Sequence, residues 1–422
     1  MLNQQETPYV RPLGDGLVLR TVANESDVER VARFNGAIHG ESVIPMTREL
    51  FLHHPHTSGR DLIFVEDEQS GKVVSSLCVI PWTWRFDGVA VPSGEMGIVG
   101  TSDAYRRRGL VREQVTFFKQ RLRERGCLIS QIQGIPYYYR QFGYEYALPL
   151  EGGLHLELRH TPTPLAAAFT FRAATTADIP TLQRLYDDAA RDLAISVQRD
   201  ESVWRFLLER SAGSETECDN VIIEDSKGTV AGYMRLPHSH FGAELTVSEV
   251  SRLGADAALA TLAHLKTLAE QRQKPGIRLC IPANSSLLQV ARPYAAAEYG
   301  TYAWQIHVPE MAALLRALTP VLERRIAASA FAGLTQDVEI CLFRETIALR
   351  FAQGRLAEVA NLGFKERGPI NFPPLQFIPL VLGYRTLDEQ RRAYPDVGVA
   401  PSLRLLMETL FPKAPSFIYT IY

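Results

Sequence analysis

The chain has 422 residues, which at about 150 residues per domain predicts two or three domains and excludes a single small module. Its 45 Lys and Arg against 47 Asp and Glu leave a formal charge of −2, too little positive charge for a general binder of nucleic acid or anionic membrane. With 46% hydrophobic and 22% charged residues, the composition is that of a globular protein with a large core.

In chain order, Leu17-Val-Leu-Arg20 reads as a strand, and Asp27 sits where an N-cap is wanted before a helix with apolar positions Val28, Val31 and Phe34. Asp61 to Asp67, a polar turn with Gly71, and Val73 to Ile80 read as a β-hairpin. Gly97 to Thr101 reads as a strand, Tyr105 to Arg112 as a turn, and Val111, Val115, Phe118 and Leu122 as one face of an amphipathic helix. The apolar run Cys127 to Ile132 and the segment Tyr139-Arg-Gln-Phe-Gly-Tyr144 follow.

The pattern then repeats about 150 residues on. Phe169 to Arg172, Asp178 with Ile179, Leu182 and Leu185, and the hairpin of Asn220 to Asp225 and Val230 to Leu236 match the first copy in order. Two α/β units therefore lie end to end. Their loops differ: the strand Glu244 to Val250 leads into Ser251-Arg-Leu-Gly-Ala-Asp256, which lacks the arginine cluster of the first copy. A third part opens near Trp304, with helical spacing over Met311 to Ile326, strands at Val338 to Phe343 and Thr346 to Phe351, and helices at Pro373 to Gly383 and Ser402 to Leu410. An apolar tail, Phe417 to Tyr422, ends the chain.

Five cysteines, widely spaced and without a C-x-x-C pair, point to a reducing compartment. The N-terminal residues contain an acid and no apolar run, and the longest uncharged stretch, Gly368 to Tyr384, is interrupted by prolines, so a soluble cytoplasmic protein is expected. His53, His54 and His56 read as a loop cluster rather than a metal site, since no second ligand pair follows at metal spacing. Trp82 and Trp84 share one strand face and read as packing residues, with a substrate-pocket wall as the alternative.

The chemistry gathers at residues 106–112. A turn that follows a strand, contains Gly109 and opens a helix offers free backbone N–H groups to phosphate oxygens, and its arginines add charge. A diphosphate ligand is the natural reading; a solvated arginine face is the bland one. Arg106-x-x-Gly109-x-Val111 resembles the R-x-x-G-x-G/A pyrophosphate loop of the GNAT superfamily of acetyl-CoA-dependent N-acetyltransferases. Arg107 to Arg112 together with Tyr139 to Tyr144 resembles more closely its Eis-like (enhanced intracellular survival) branch. Val111 departs from the wider Gly or Ala, and Asp103 stands where a proline is common; neither change removes a backbone donor.

That resemblance implies an α/β (α+β) architecture of tandem GNAT domains followed by a sterol-carrier-protein-like domain: 1–152 catalytic, 153–303 degenerate and structural, and 304–422 supplying the C-terminal carboxylate. It implies that Val99, Gly100 and Thr101 bond the pantetheine amides. Arg107, Arg108, Gly109, Leu110, Val111 and Arg112 would hold the pyrophosphate, and Gly134 and Ile135 would line the far side of the gap. It implies Tyr139 as the proton donor to the departing thiolate and the α-carboxylate of Tyr422 as the base. Without the resemblance, the tyrosines read as packing residues and the tail as a core strand.

The expected enzyme uses acetyl-CoA as co-substrate and no metal. It acetylates a small polycationic amine, aminoglycoside- or polyamine-like, by direct transfer in a ternary complex, and by resemblance it is a homohexamer. A protein-lysine acetyltransferase, or a non-catalytic lipid- or CoA-binding scaffold, are the alternatives.

Overall fold

A computed structural model describes residues 6–163, 169–239 and 242–422. The first unit runs β1 (Val10–Gly14), β2 (Leu17–Thr21), α1 (Glu25–His39), α2 (Val43–Leu52), β3 (Leu62–Asp67), β4 (Lys72–Phe86), β5 (Val89–Thr101), α3 (Leu110–Glu124), β6 (Ile129–Ile132) and β7 (Glu145–Leu150). The second runs β8 (Gly153–Glu157), β9 (Phe169–Ala173), α4 (Ile179–Ala190), β10 (Ile195–Val197), α5 (Glu201–Glu209), β11 (Cys218–Asp225), β12 (Val230–Pro237), β13 (Leu245–Val247), β14 (Glu249–Val250), α6 (Ala255–Gln271), β15 (Gly276–Leu279), α7 (Ser286–Ala291), β16 (Ala297–Tyr299) and β17 (Tyr302–His307). The remainder is α8 (Met311–Ala317), α9 (Thr319–Ala327), β18 (Gln336–Cys341), β19 (Thr346–Ala352), β20 (Arg355–Asn361), β21 (Ile370–Asn371), α10 (Phe377–Val381), α11 (Leu387–Ala393), β22 (Gly398–Val399) and α12 (Arg404–Leu410).

The first sheet is ordered β1-β2-β3-β4-β5-β6-β17-β7, with β10 also paired to β4. β17 therefore comes from the end of the second unit and is antiparallel to both β6 and β7. β8, the first strand of the second unit, pairs within that unit, with β15 and β16. The second unit thus lends β17 to the first sheet. Val115, Phe118 and Leu122 of α3 are buried on one face of the first sheet with Leu77, Val79 and Met96. The other face, bearing Ile80, Trp82, Trp84 and Val91, joins a core continuous with α4, α5 and the C-terminal part. The expected boundary at 303/304 falls inside β17, because the strand's hydrogen bonds go to the first sheet rather than to its sequence neighbours.

Several local expectations are corrected. Asp27 is not the N-cap of α1. Asn24 is, its side chain accepting from Asp27 N–H, while the Asp27 carboxylate accepts from Ala23 N–H one residue before the cap. In the second copy Thr175 and Asp178 form a capping box, one turn earlier than the expected cap. Met311 to Ile326 is two helices broken at Leu318, where Pro320 in the first turn of α9 lacks the N–H that a continuous helix needs. β20 and α11 had no counterpart in the pattern reading. Among the described residues no helix is long and apolar enough to cross a membrane.

Candidate active site

β5 and β6 run parallel and pair only where Ser93, Gly94 and Glu95 oppose Ile129, Ser130 and Gln131. Past that point they fork. The pairing of β5 with β4 slips between Ser76 and Cys78, and Ile98 takes φ 48°, a bulge that bends the strand away and leaves the edge of Met96–Thr101 without a strand partner among the described residues. Val99, Gly100 and Thr101 lie on this open edge. Gly134 and Ile135 follow β6 across the gap. Gln305 Nε2 donates to both of their carbonyls, at 3.0 and 3.3 Å, and the Tyr302 hydroxyl donates to Gly134 at 3.2 Å, so β17 shapes this wall.

Beyond β5 the chain makes a single 3₁₀ turn and enters α3 through Gly109, which stands at φ 77°. Arg107 is also left-handed, at φ 63°. The first backbone bond of the helix is Arg112 N–H to the Gly109 carbonyl, and among the described residues the N–H groups of 107–111 donate to no carbonyl. Arg106, Arg107, Arg108 and Gly109 are exposed. Arg106 pairs with Asp103 at 2.8 Å, and Arg108 lies 4.9 Å above the Tyr105 ring, whose hydroxyl donates to Asp67 at 2.6 Å. A run of unspent donors at a helix start, flanked by exposed guanidinium groups, suits a pyrophosphate. Val111 is half-buried in the α3 face, so its larger side chain occupies none of this space.

Tyr139 lies on a short 3₁₀ segment, Tyr138–Phe142, held between the left-handed residues Tyr137 and Gly143. Its ring packs edge-on to Tyr138 and Tyr144 and directly against Gly134, where an added Cβ would stand 2.3 Å from the ring. Glycine is therefore obligatory there. Burial, reinforced by Tyr138, pushes the phenol's pKa up, so it keeps its proton across the neutral range. Its hydroxyl has no hydrogen-bond partner among the described residues.

The C-terminal tail crosses from the third part over β10, through Ala194 N–H to the Pro415 carbonyl (2.7 Å) and Phe417 N–H to the Ile195 carbonyl (3.0 Å). The Arg199 guanidinium holds the Thr420 carbonyl, and the buried His54 ring bonds the Ile421 backbone, its pKa pushed down to about 3 chiefly by burial and by neighbouring His56. The tail ends at the fork. Tyr422 donates its hydroxyl to Glu95 Oε1 at 2.8 Å, and its ring stands edge-on to Trp82, which stands edge-on to Trp304.

Glu95 is the last residue of β5 paired to β6 and only 3% exposed. Its Oε2 has no partner, nor have Trp82 Nε1 and both amide atoms of Gln131, all sealed from solvent. Burial raises the carboxyl to about 8. The Tyr422 bond offsets this in part, and the Trp82 indole, which lies close by without closing a well-formed hydrogen bond, offsets it a little further.

The second unit lacks this arrangement. Arg252 folds onto Asp188 and Asp192, and Ser286 Oγ accepts from Leu253 N–H at 2.9 Å, so a donor that could have served phosphate is spent internally.

Sequence reasoning brought together the open edge, the loop, Tyr139 and Tyr422, and it missed Glu95, Gln131 and Gln305. The signal for Glu95 was present: it is the single charged residue between Val89 and Thr101, in a strand bound for the sheet centre.

Residues 20–147 match the acetyltransferase (GNAT) domain family. No curated protein matches the chain. Among solved structures, a GCN5-related N-acetyltransferase from Anabaena variabilis is 15% identical at TM-score 0.69, covering 95% of this chain and 99% of that one. A conserved protein of unknown function from Enterococcus faecalis, described as a probable N-acyltransferase, is 14% identical at TM-score 0.70, covering 99% and 100%. Eis1 from Mycobacterium abscessus is 16% identical at TM-score 0.61, covering 96% and 100%. The fold is thus shared along essentially the whole chain, and the match to the acetyltransferase (GNAT) domain family lies in the first unit.

Proposed function

We propose that this acetyltransferase uses acetyl-CoA to acetylate an amine of a small polycationic substrate, aminoglycoside- or polyamine-like, by direct transfer in a ternary complex. The observation that carries the reading is the forked β5/β6 edge meeting a helix start with five consecutive unspent N–H groups. Pantetheine would extend β5 along Val99, Gly100 and Thr101. Residues 107–112 would hold the pyrophosphate, and the thioester would come to rest near Gly134, Ile135 and Tyr139. Tyr139 would give its proton to the departing thiolate, as its raised pKa and free hydroxyl suit.

The amine proton would leave at the Tyr422 end of the fork. Two groups there can accept it: the α-carboxylate of Tyr422, carried over from the Eis-like resemblance, and Glu95. In this reading residues 1–152 are catalytic, 153–303 serve as structure, and 304–422, with a sterol-carrier-like fold, deliver the chain terminus. The chain would act as a cytoplasmic homohexamer. The test is thiol release from acetyl-CoA over a panel of polyamines, aminoglycosides and lysine peptides, using protein with an untagged C-terminus. Release dependent on a small polyamine or aminoglycoside is expected. Release with peptides alone would transfer the assignment to protein lysine.

A further inference from the structure

We propose that the groove between α4 and α9 is a second ligand site, which takes an organic polyphosphate with an apolar body, of the size of a nucleoside triphosphate. The site is independent of the acetyl-transfer reading.

The groove lies at the far end of the first sheet from the loop at 107–112. The turn at 87–88, between β4 and β5, forms one wall. From there the 13-residue β5 carries the chain away, about 40 Å at about 3.3 Å per residue, before the arginine loop begins. Helix α4 of the second unit and α9 of the third part supply the other walls. All three parts of the chain therefore meet around a cavity of about 1320 Å³, larger than the roughly 300–1,000 Å³ of an ordinary small-molecule pocket.

Helical spacing sets the lining in facing stripes. Arg184, Asp187, Asp188 and Arg191 fall at i, i+3, i+4 and i+7 along α4 and its C-cap. Val321, Arg324, Arg325 and Ala328 repeat those intervals along α9 and its C-cap. With Arg85 and Asp87 the lining holds five arginines against three aspartates, so the groove is cationic in a chain whose net charge is −2.

The aspartates are already spent. Arg85 takes Asp187 at 2.8 Å, Arg325 takes Asp87, and Asp188 is shared by Arg191 at 3.0 Å and Arg252 at 3.5 Å. Arg184 is exposed and has no partner among the described residues, while Arg324, also exposed, donates only to the Asp87 carbonyl. Arg325 is the buried member. Burial, with Arg324 beside it, lowers its pKa by more than Asp87 restores, so its charge is left short of solvation. Under-compensated guanidinium groups on both sides of one groove suit a multivalent anion, and their N–H forks match phosphate oxygens. A single carboxylate neutralises one of them and leaves the others. Beside the charges, Ala190, Leu193, Val321 and Ala328 add apolar lining. A polyphosphate against the arginines and an apolar body on this surface occupy both kinds of wall.

The test is calorimetry and thermal unfolding of the full chain saturated with acetyl-CoA, which fills the loop at 107–112. ATP is the probe, and inorganic triphosphate and adenosine are its two halves. ATP should bind once per chain, about tenfold or more tighter than either half, and raise the unfolding temperature. Arg184→Ser combined with Arg324→Ser should weaken ATP about tenfold or more while leaving the unfolding temperature of the ATP-free protein unchanged, since both side chains are exposed. Asp187→Asn removes a competing carboxylate and should tighten ATP several-fold, a gain that a folding defect does not produce. ATP that neither gives heat nor shifts unfolding overturns the proposal, as does an unchanged ATP affinity in the double arginine variant. Triphosphate that binds as tightly as ATP overturns the apolar half of the ligand. A double variant that changes the number of chains per particle in sedimentation, with ATP binding unmoved, assigns the groove to contact between copies instead. Protein that fails to bind acetyl-CoA overturns the transferase reading, and the arginine variants still decide this site.

Discussion

Replacing Arg199 with methionine tests how the chain end is held in place. The Arg199 guanidinium makes two bonds of 2.8 Å to the Glu249 carboxylate, with the two side chains 0% and 2% exposed, and it also holds the Thr420 carbonyl. It lies over the rings of Tyr186, Trp204 and Tyr419, at 4.6, 4.9 and 5.8 Å. Breaking a buried pair by removing one partner costs about 3–5 kcal/mol, because the other charge stays buried. Here Glu249 retains the Tyr233 hydroxyl at 2.6 Å and Arg235 at 3.6 Å, and methionine keeps much of the volume, so a loss at the lower end, about 3 kcal/mol, is expected.

The assay is urea unfolding followed by tryptophan fluorescence, with Trp204 as the local reporter, alongside thiol release. Both the unfolding midpoint and turnover should fall. The double variant Arg199→Met, Glu249→Leu should recover part of the stability, since it removes the lone buried carboxylate while leaving Arg235 with Asn220 in place of its ion pair, but not the hold on Thr420. A loss below 1 kcal/mol for Arg199→Met, or a double variant no better than the single, would refute the reasoning. The same pair sets a pH dependence. Burial raises the Glu249 carboxyl, and Arg199 and Arg235 more than offset this, leaving it below its usual value. The unfolded chain therefore binds that proton first, so the pair's contribution is present above the ordinary carboxylate range and is lost as the pH falls through the lowered folded value.

Tyr139→Phe should leave acetyl-CoA affinity within about twofold while kcat drops by about 100-fold, the size of a positioned proton donor; wild-type turnover would remove Tyr139 from the mechanism. Gly109→Ala places a Cβ in open space but forces a left-handed residue, at about 1–2 kcal/mol, so acetyl-CoA binding should weaken about tenfold with little change in melting temperature. Calorimetry should give one acetyl-CoA per chain, since Leu253 N–H is already spent on Ser286 in the second unit; two equal sites would contradict this.

Much of the local structure was legible because it is written in local periodicity. The hairpin of β3 and β4, the face Val115, Phe118 and Leu122 of α3, and the duplication each need only a window of sequence. The loop at 106–112 was legible because strand, glycine and helix start lie within one stretch. What failed to show was non-local. Tyr302–His307 has the alternation of any strand, and nothing in its sequence says that its partners are Gln131 and Tyr146 rather than its own neighbours. Glu95 reads as one acid among 47 until Tyr422 and Trp82 are folded onto it. Asp27 misled because Asn24, three residues earlier, makes the better cap.

The placement of β17 in the first sheet has a consequence for how the chain is made. On a ribosome the chain emerges N-terminal end first, and β6 and β7 are complete by Leu150, yet the strand that belongs between them is not synthesised until Tyr302–His307. For the time needed to add some 150 residues, several seconds or more at about 5–20 residues per second, β6 and β7 of the nascent first sheet lack the strand between them. Gln305, which ties down Gly134 and Ile135, arrives with that late strand, and Tyr422, bonded to Glu95, arrives more than 100 residues later. The wall of the fork is therefore completed only after the second unit has been made. Fragments released early would expose adhesive edges without a working site, and a truncation at either expected boundary would yield an incomplete sheet rather than a smaller enzyme.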